Sequence, residues 1–389
     1  MINPFYMSAF SFIGVLLIFS LKWSGYYQSL QVGTYIFVFL NIIFNLFIGY
    51  FFRKKFVFKK TNINIFSSKK MITIIFLGYV INFLYSKEVP LINSIFGIGT
   101  YYKDIATIPT FYPLLNSMNV FFVIYNFYLY LNLNEKRHLH TSIILLIPFL
   151  ITMGRGLIVM AITPCVLMYL SQNIKRFVNK KTYKVIIFLL IFTFLFGYLG
   201  NLRTTQSHLK NISPTERILY VGNATEQFWN KPIPKEYFWA YIYVASPISN
   251  FDNFTQYDYE GSTFGGFVAY NFLPQSIRKR VIDENSIDKK IYLIVDEFNV
   301  STAYGIPFYQ LGWIGVLLYQ LIYYLIFIFM FIIVQRSYYQ TIFLSLYSMT
   351  SIYSLFSNIF VLDIVAIPII LCVLLSVKKR IVFRRRFVV

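Results

Sequence analysis

Residues 310–334 read QLGWIGVLLYQLIYYLIFIFMFIIV, an unbroken run without one Asp, Glu, Lys, Arg or His. About 20 apolar residues are enough for a helix to cross the hydrocarbon core of a bilayer. A soluble domain has nowhere to hide such a run, so it is read as a transmembrane helix. Similar blocks recur on both sides of it. Toward the C-terminus lie 340–356 and 359–377; toward the N-terminus lie 183–200, 157–170, 141–153, 113–131, 71–85, 30–52 and 5–21. The expected fold is an all-α polytopic integral membrane protein with about ten transmembrane helices. Residues 1–200 carry helices 1–7, residues 201–309 form one large outer loop, and residues 310–389 carry helices 8–10 and a basic tail. No small-residue cleavage site follows the first block, which is therefore read as a retained helix.

Composition agrees: 57% of the 389 residues are hydrophobic and 13% charged, against about a quarter charged in ordinary soluble domains. The net charge of +20 would suggest nucleic acid in a soluble chain. Here the basic residues sit in short clusters between apolar blocks, which is how membrane proteins set their orientation. Arg53, Lys54, Lys55, Lys59, Lys60, Lys69 and Lys70 follow block 2, and Lys175, Arg176, Lys180, Lys181 and Lys184 follow block 6. Lys378, Lys379, Arg380, Arg384, Arg385 and Arg386 follow block 10, while Lys136, Arg137 and Arg336 occupy two short connections. With ten spans all of these share one face, with Glu135 as its one acid. That face is expected to be cytoplasmic, with both termini on it and the large loop outside. The softest point is the TMGRGL junction at 152–157, where blocks 5 and 6 could instead be one kinked span.

No nucleotide-binding, zinc-protease or nucleophile-elbow motif is present. Cys165 and Cys372 lie in separate spans and the three histidines have no zinc spacing, so neither a metal nor a cofactor is expected. Chemistry must come from polar residues at the outer face. Arg155, between Gly154 and Gly156, joins two apolar blocks, where an arginine is costly unless it meets water or an anion; its guanidinium suits forked contact with phosphate. Arg203 in YLGNLRT is expected at the same depth, so the two could clamp a diphosphate. Arg278 and Arg280 in QSIRKR are a third basic cluster, read as substrate contacts or as a solvated charge run. Asp252, Asp296, Glu297 and His208 are candidate bases, and Asp363 is the one acid expected within a span. Tyr304 and Tyr309, around Gly305 and Pro307, are expected in the membrane interface, where their rings could stack on sugar faces. The aromatic segment EYFWAYIYVASPI (236–248) is expected as a short helix lying on the membrane surface.

Four of these segments carry a resemblance. GRGLI, YLGNLRT, YIYVASPISNFDN and TAYGIPFYQLGWIG, in this order and spacing, resemble the O-antigen polymerases (Wzy), the oligosaccharide repeat-unit polymerases of bacterial envelopes. The resemblance implies an enzyme of the inner membrane in lipopolysaccharide or related surface-polysaccharide synthesis. Its substrate would be an oligosaccharide on undecaprenyl diphosphate. The growing glycan is transferred to a sugar hydroxyl of the next unit, and undecaprenyl diphosphate leaves. Membrane lipids and a chain-length regulator are the implied partners, and no nucleic acid is. A flippase and an O-antigen ligase are the competing expectations. A flippase tends to show inverted repeats and midplane charges, neither of which the sequence displays.

Overall fold

The computed structural model describes residues 2–60, 67–96, 99–100, 104–177, 182–203, 212–259, 261–282 and 293–385. Their regular secondary structure is helical, with one isolated β-bridge between Ser24 and Ala224. The helices are α1 Pro4–Phe19, α2 Val32–Phe52, α3 Ser68–Ser86, α4 Pro90–Phe96, α5 Phe111–Leu133, α6 Lys136–Ile151, α7 Arg155–Phe177 and α8 Thr182–Arg203. The long connection then forms α9 Pro214–Val221, α10 Glu226–Trp229, α11 Tyr237–Phe254, α12 Phe264–Phe272 and α13 Gln275–Val281. The chain closes with α14 Gly305–Val334, α15 Gln340–Tyr353 and α16 Asp363–Arg385.

Each apolar block of the sequence is helical over most of its length. Among the described residues, four helices are long and apolar enough to cross a membrane: α2, α5, the 155–172 part of α7, and α14. The pair α3–α4, bent by 56°, makes a fifth if it is one broken span. The molecule is thus a helical bundle of membrane-protein character.

Local chemistry sets the helix ends. Asn3 caps α1 by accepting from the N–H groups of Phe5 and Tyr6, with Pro4 in the first turn; this satisfies donors that a helix start leaves free. The Asn3 amide also donates to Gly49 O at 2.9 Å, fixing the start of α1 beside the end of α2. Asn134, in the left-handed region, ends α5 and returns its N–H to Tyr130 O. Met153, at φ 54°, turns the chain between α6 and α7.

Hydrogen bonds decide the doubtful TMGRGL junction. Ser142 of α6 donates to Val123 O of α5, and Asn119 of α5 donates to Leu145 O of α6. The two helices are therefore antiparallel. Gln172 near the end of α7 donates to Leu131 O near the end of α5, so α7 runs back along α5. Helices α6 and α7 form a hairpin with Arg155 at its tip, and the single kinked span is excluded.

The bundle has two unlike ends. At one, the segment after α2 is held by its backbone. Gln340 donates to Lys55 O, Tyr128 donates to Lys59 O, and Lys59 N–H donates to Thr341 Oγ1. At the other end lie the α6–α7 tip, the start of α14 and the long connection. At the first end Phe5, Phe56, Phe327 and Phe331 pack with centroids 5.1–6.3 Å apart, mostly edge to face, a favoured aromatic arrangement.

A polar network also runs inside the bundle. Gln320 donates to Asn41 Oδ1 at 2.6 Å, Asn45 donates to the same oxygen at 2.6 Å, and Tyr324 donates to Asn45 Oδ1 at 2.7 Å. In an apolar medium each of these groups would cost several kcal/mol unpaired, so the network fixes α14 against α2.

Helix α11 departs from the short surface helix expected for EYFWAYIYVASPI. It spans 18 residues and most of them are buried. Trp239 Nε1 donates to Asn201 Oδ1 of α8 at 2.7 Å, and a Cβ on Gly197 would come within 2.0 Å of Glu236 O. At its far end Asp252 accepts from the Gln31 N–H before α2, and Phe251 packs on Tyr304 and Phe308. Helix α11 therefore straps the loop end, from α8 across to α2 and α14.

Candidate functional site

Three asparagines organise the loop end. Asn250 of α11, fully buried, donates to Phe298 O and Val300 O and accepts from Ile294 N–H, fixing the segment before α14. Asn271 of α12 donates to Gln310 Oε1 of α14 at 2.7 Å, and its carbonyl accepts from Asn358 between α15 and α16. The start of α14 is then broken at Leu311–Gly312. Gly312 has φ 61° and ψ −150°, a conformation open essentially to glycine alone.

These ties enclose a cleft of about 370 Å³. Its walls include Asn271, Gln275, Arg278, Ser301, Thr302 and Asn358, and among the described residues no Asp or Glu lines it. Arg278 is only 8% exposed. Its Nη1 donates to Tyr270 O at 3.1 Å and its guanidinium carbon stands 4.5 Å above the Tyr270 ring. The reading of QSIRKR as a solvated charge run is thereby corrected for Arg278 alone, since Lys279 and Arg280 are exposed. Helix α13 that carries Arg278 is itself held by Asp363, whose buried carboxylate accepts from the Ser276 N–H and hydroxyl at 3.1 and 2.9 Å. A fixed guanidinium among neutral donors and acceptors suits an anionic ligand that also carries hydroxyl groups. The Asn358 Oδ1 is buried and has no hydrogen-bond partner, which leaves one acceptor for a ligand or water.

The other sequence candidates are distributed as follows. Arg155 sits exposed at the α6–α7 tip, and its side chain makes no hydrogen bond or ion pair among the described residues. Arg203 is the last residue of α8, and its side chain lies outside the described ones, as does all of His208. Arg280 is exposed and donates to Thr110 Oγ1 at the start of α5 at 2.9 Å. Asp296 and Glu297 are exposed on the segment that Asn250 holds, a few residues before the cleft wall. Asp252 is buried with one oxygen committed to Gln31, a structural tether.

Tyr304 and Tyr309 are corrected. Both are buried, at 4% and 5% exposure, rather than offered at the interface. The Tyr304 hydroxyl accepts from Asn41 at 3.4 Å, and its ring packs on Phe12, Phe37 and Tyr319. The helix break expected near these tyrosines is present, but it turns them inward. Asn250, Asn271 and Asn358 escaped the sequence reading because an asparagine has no spacing signature. No group of three or more His, Cys, Asp or Glu that could hold a metal occurs among the described residues.

No protein-family model, no curated protein and no solved structure matches the chain.

Proposed function

We propose that the chain is a membrane glycosyltransferase that polymerises oligosaccharide units carried on a polyprenyl diphosphate, in the manner of an O-antigen polymerase. The observation that carries this reading is the Arg278 cleft, with a fixed guanidinium and neutral polar groups among its described residues, at the end of the bundle opposite the lysine-rich connections. In this reading the ten helical blocks all span a bacterial inner membrane. The lysine-rich end with both termini is cytoplasmic by the positive-inside rule, and the cleft opens on the periplasmic side.

The chemistry follows from the charges. An acceptor sugar hydroxyl attacks the anomeric carbon of the donor glycan. The bond from that carbon to the diphosphate oxygen breaks, and the diphosphate leaves with the electron pair. Negative charge grows on the leaving group, so a preorganised guanidinium lowers the barrier. Arg278 is assigned that role, with Arg155 as a second, accessible cation at the same end. The hydroxyl proton passes to a base, for which exposed Asp296 or Glu297 beside the cleft wall is better suited than tethered Asp252. Neither a metal nor a nucleotide sugar is required.

The test is a deletion strain examined on lipopolysaccharide gels. Loss of a polymerase leaves lipid A core capped with a single repeat, whereas loss of a ligase leaves bare core and loss of a flippase strands the units on the cytoplasmic side. Complementation with Arg155→Ala or Arg203→Ala is expected to leave the protein in the membrane and to abolish long chains. A normal ladder from both variants would remove the diphosphate clamp.

A further inference from the structure

An apolar hollow of about 410 Å³ adjoins the Arg278 cleft, between α14 and α16. The α12–α13 connection separates the two by alternation: Asn271 and Gln275 line the cleft, while Phe272 and Pro274 line the hollow. The wall after α15 repeats this, with Asn358 on the cleft and Phe360 on the hollow. From there the hollow follows α14 past Leu325 and Phe329, which are 56% and 68% exposed. In a bilayer such a surface meets hydrocarbon chains.

We infer that cleft and hollow are one site for one lipid, with a phosphorylated head at Arg278, a hydrocarbon chain between α14 and α16, and sideways entry from the bilayer. The inference rests on the polymerase reading for the diphosphate head, and adds the tail's place and the route. Two observations favour it. Among the described residues the cleft offers a fixed guanidinium held on Tyr270 beside neutral polar groups, which complements a phosphorylated, hydroxyl-bearing head. The hollow continues from the cleft through residues adjacent in the chain. A larger apolar groove of about 680 Å³ lies on the other side of α14, against α2, with Leu317 in its wall. None of its lining residues is a chain neighbour of a cleft residue, whereas the hollow alternates with the cleft along two segments, which favours the α16 side for the tail.

The test uses the full-length protein in phosphatidylcholine nanodiscs, titrated with a short polyprenyl diphosphate, polyprenol, phosphatidylglycerol and inorganic diphosphate, with bound species read by native mass spectrometry. Polyprenyl diphosphate is expected to bind at least about tenfold more tightly than each of the others, since one buried charged contact carries that factor or more. Arg278→Gln should reduce it to the level of polyprenol. Ile370→Trp, which fills the hollow, should weaken both polyprenyl compounds and leave the melting temperature unchanged. Ala366→Leu, a smaller intrusion from the same wall, serves if the tryptophan variant does not fold. Equal binding of inorganic diphosphate would overturn the lipid site, and equal binding of phosphatidylglycerol would make the surface a general lipid annulus. Weakening by Leu317→Trp instead of Ile370→Trp would move the tail to the α2 side and overturn the route. A preserved diphosphate-lipid preference with no glycan phenotype would sink the polymerase reading and leave this site standing.

Discussion

The two ends of the bundle spend their charges in opposite ways. At the end where α2 stops and α15 starts, Arg53, Lys54, Lys55 and Lys59 are exposed, and backbone groups hold the segment in place. The charges there are free to meet water or lipid headgroups. At the other end Arg155, Arg280, Asp296 and Glu297 are also exposed, but some charges are drawn in. The four buried Asp, Glu, Lys or Arg side chains among the described residues are Arg217, Asp252, Arg278 and Asp363, and all four belong to the long connection or the elements it packs on. A buried charge is tolerated only when it is paired or hydrogen-bonded. Each of the four has such a partner: Ile212 O, Gln31 N–H, Tyr270 O and Ser276 respectively. Charge is thus left at the surface at one end and partly enclosed at the other.

The contrast breaks most sharply at Arg278. If the chain is the proposed polymerase, replacing Arg278 with alanine should lower transfer by about 10²- to 10³-fold, the usual loss when one fixed donor to developing charge is removed, measured with purified lipid-linked substrate. Lysine at that position should restore only part of it, because a point charge cannot reproduce the fork over Tyr270. Unchanged turnover would reduce the cleft to architecture.

Asp363→Ala should come next. It removes the acceptor of two hydrogen bonds from Ser276, each of them charge-assisted, and should cost on the order of 1.5–3 kcal/mol in stability. Activity should fall with it, because α13 carries Arg278. Asp363→Asn should recover most of the melting temperature, and a fall in stability with no change in turnover would separate α13 from the site.

A smaller effect is expected at Tyr304. Tyr304→Phe loses only a 3.4 Å contact from Asn41, so stability should drop by less than about 1 kcal/mol. Turnover should stay within twofold. A large loss of substrate affinity would return Tyr304 to the substrate surface that the sequence suggested.

The smallest effect belongs to the lysine-rich end. Replacing Lys54, Lys55 and Lys59 together with glutamine should leave stability within about 0.5 kcal/mol, as for other surface changes. Terminal reporter fusions should then show a mixed orientation, against the single one expected of the wild type by the positive-inside rule. A thermal shift of many degrees would mean that these side chains carry structure after all.

Much of the architecture was legible in the chain. A charge-free run such as 310–334 admits few alternatives, because apolar length is set by bilayer thickness. Arg155 at a turn and a break near Gly312 were legible for a similar local reason: glycines beside a charge, or inside an apolar helix, disturb a strong pattern. The hairpin of α6 and α7 was only half legible. Two short apolar blocks around TMGRGL suit a kink as well as a turn, and the bonds Ser142 to Val123 and Gln172 to Leu131 decided it.

By itself the sequence determined helical class, the positions of the apolar blocks and the segregation of basic residues, because periodicity, length and charge are properties of consecutive residues. The tertiary structure alone decided which polar side chains are enclosed. Arg278 and Arg280 are two positions apart in QSIRKR, yet one is buried on Tyr270 and the other is exposed beside Thr110. Tyr304 turns inward to Asn41, 263 residues away. Asn250, Asn271 and Asn358 each bond to partners 39 to 87 residues away. Burial of a polar group depends on neighbours that the chain brings from a distance, and no local pattern encodes them.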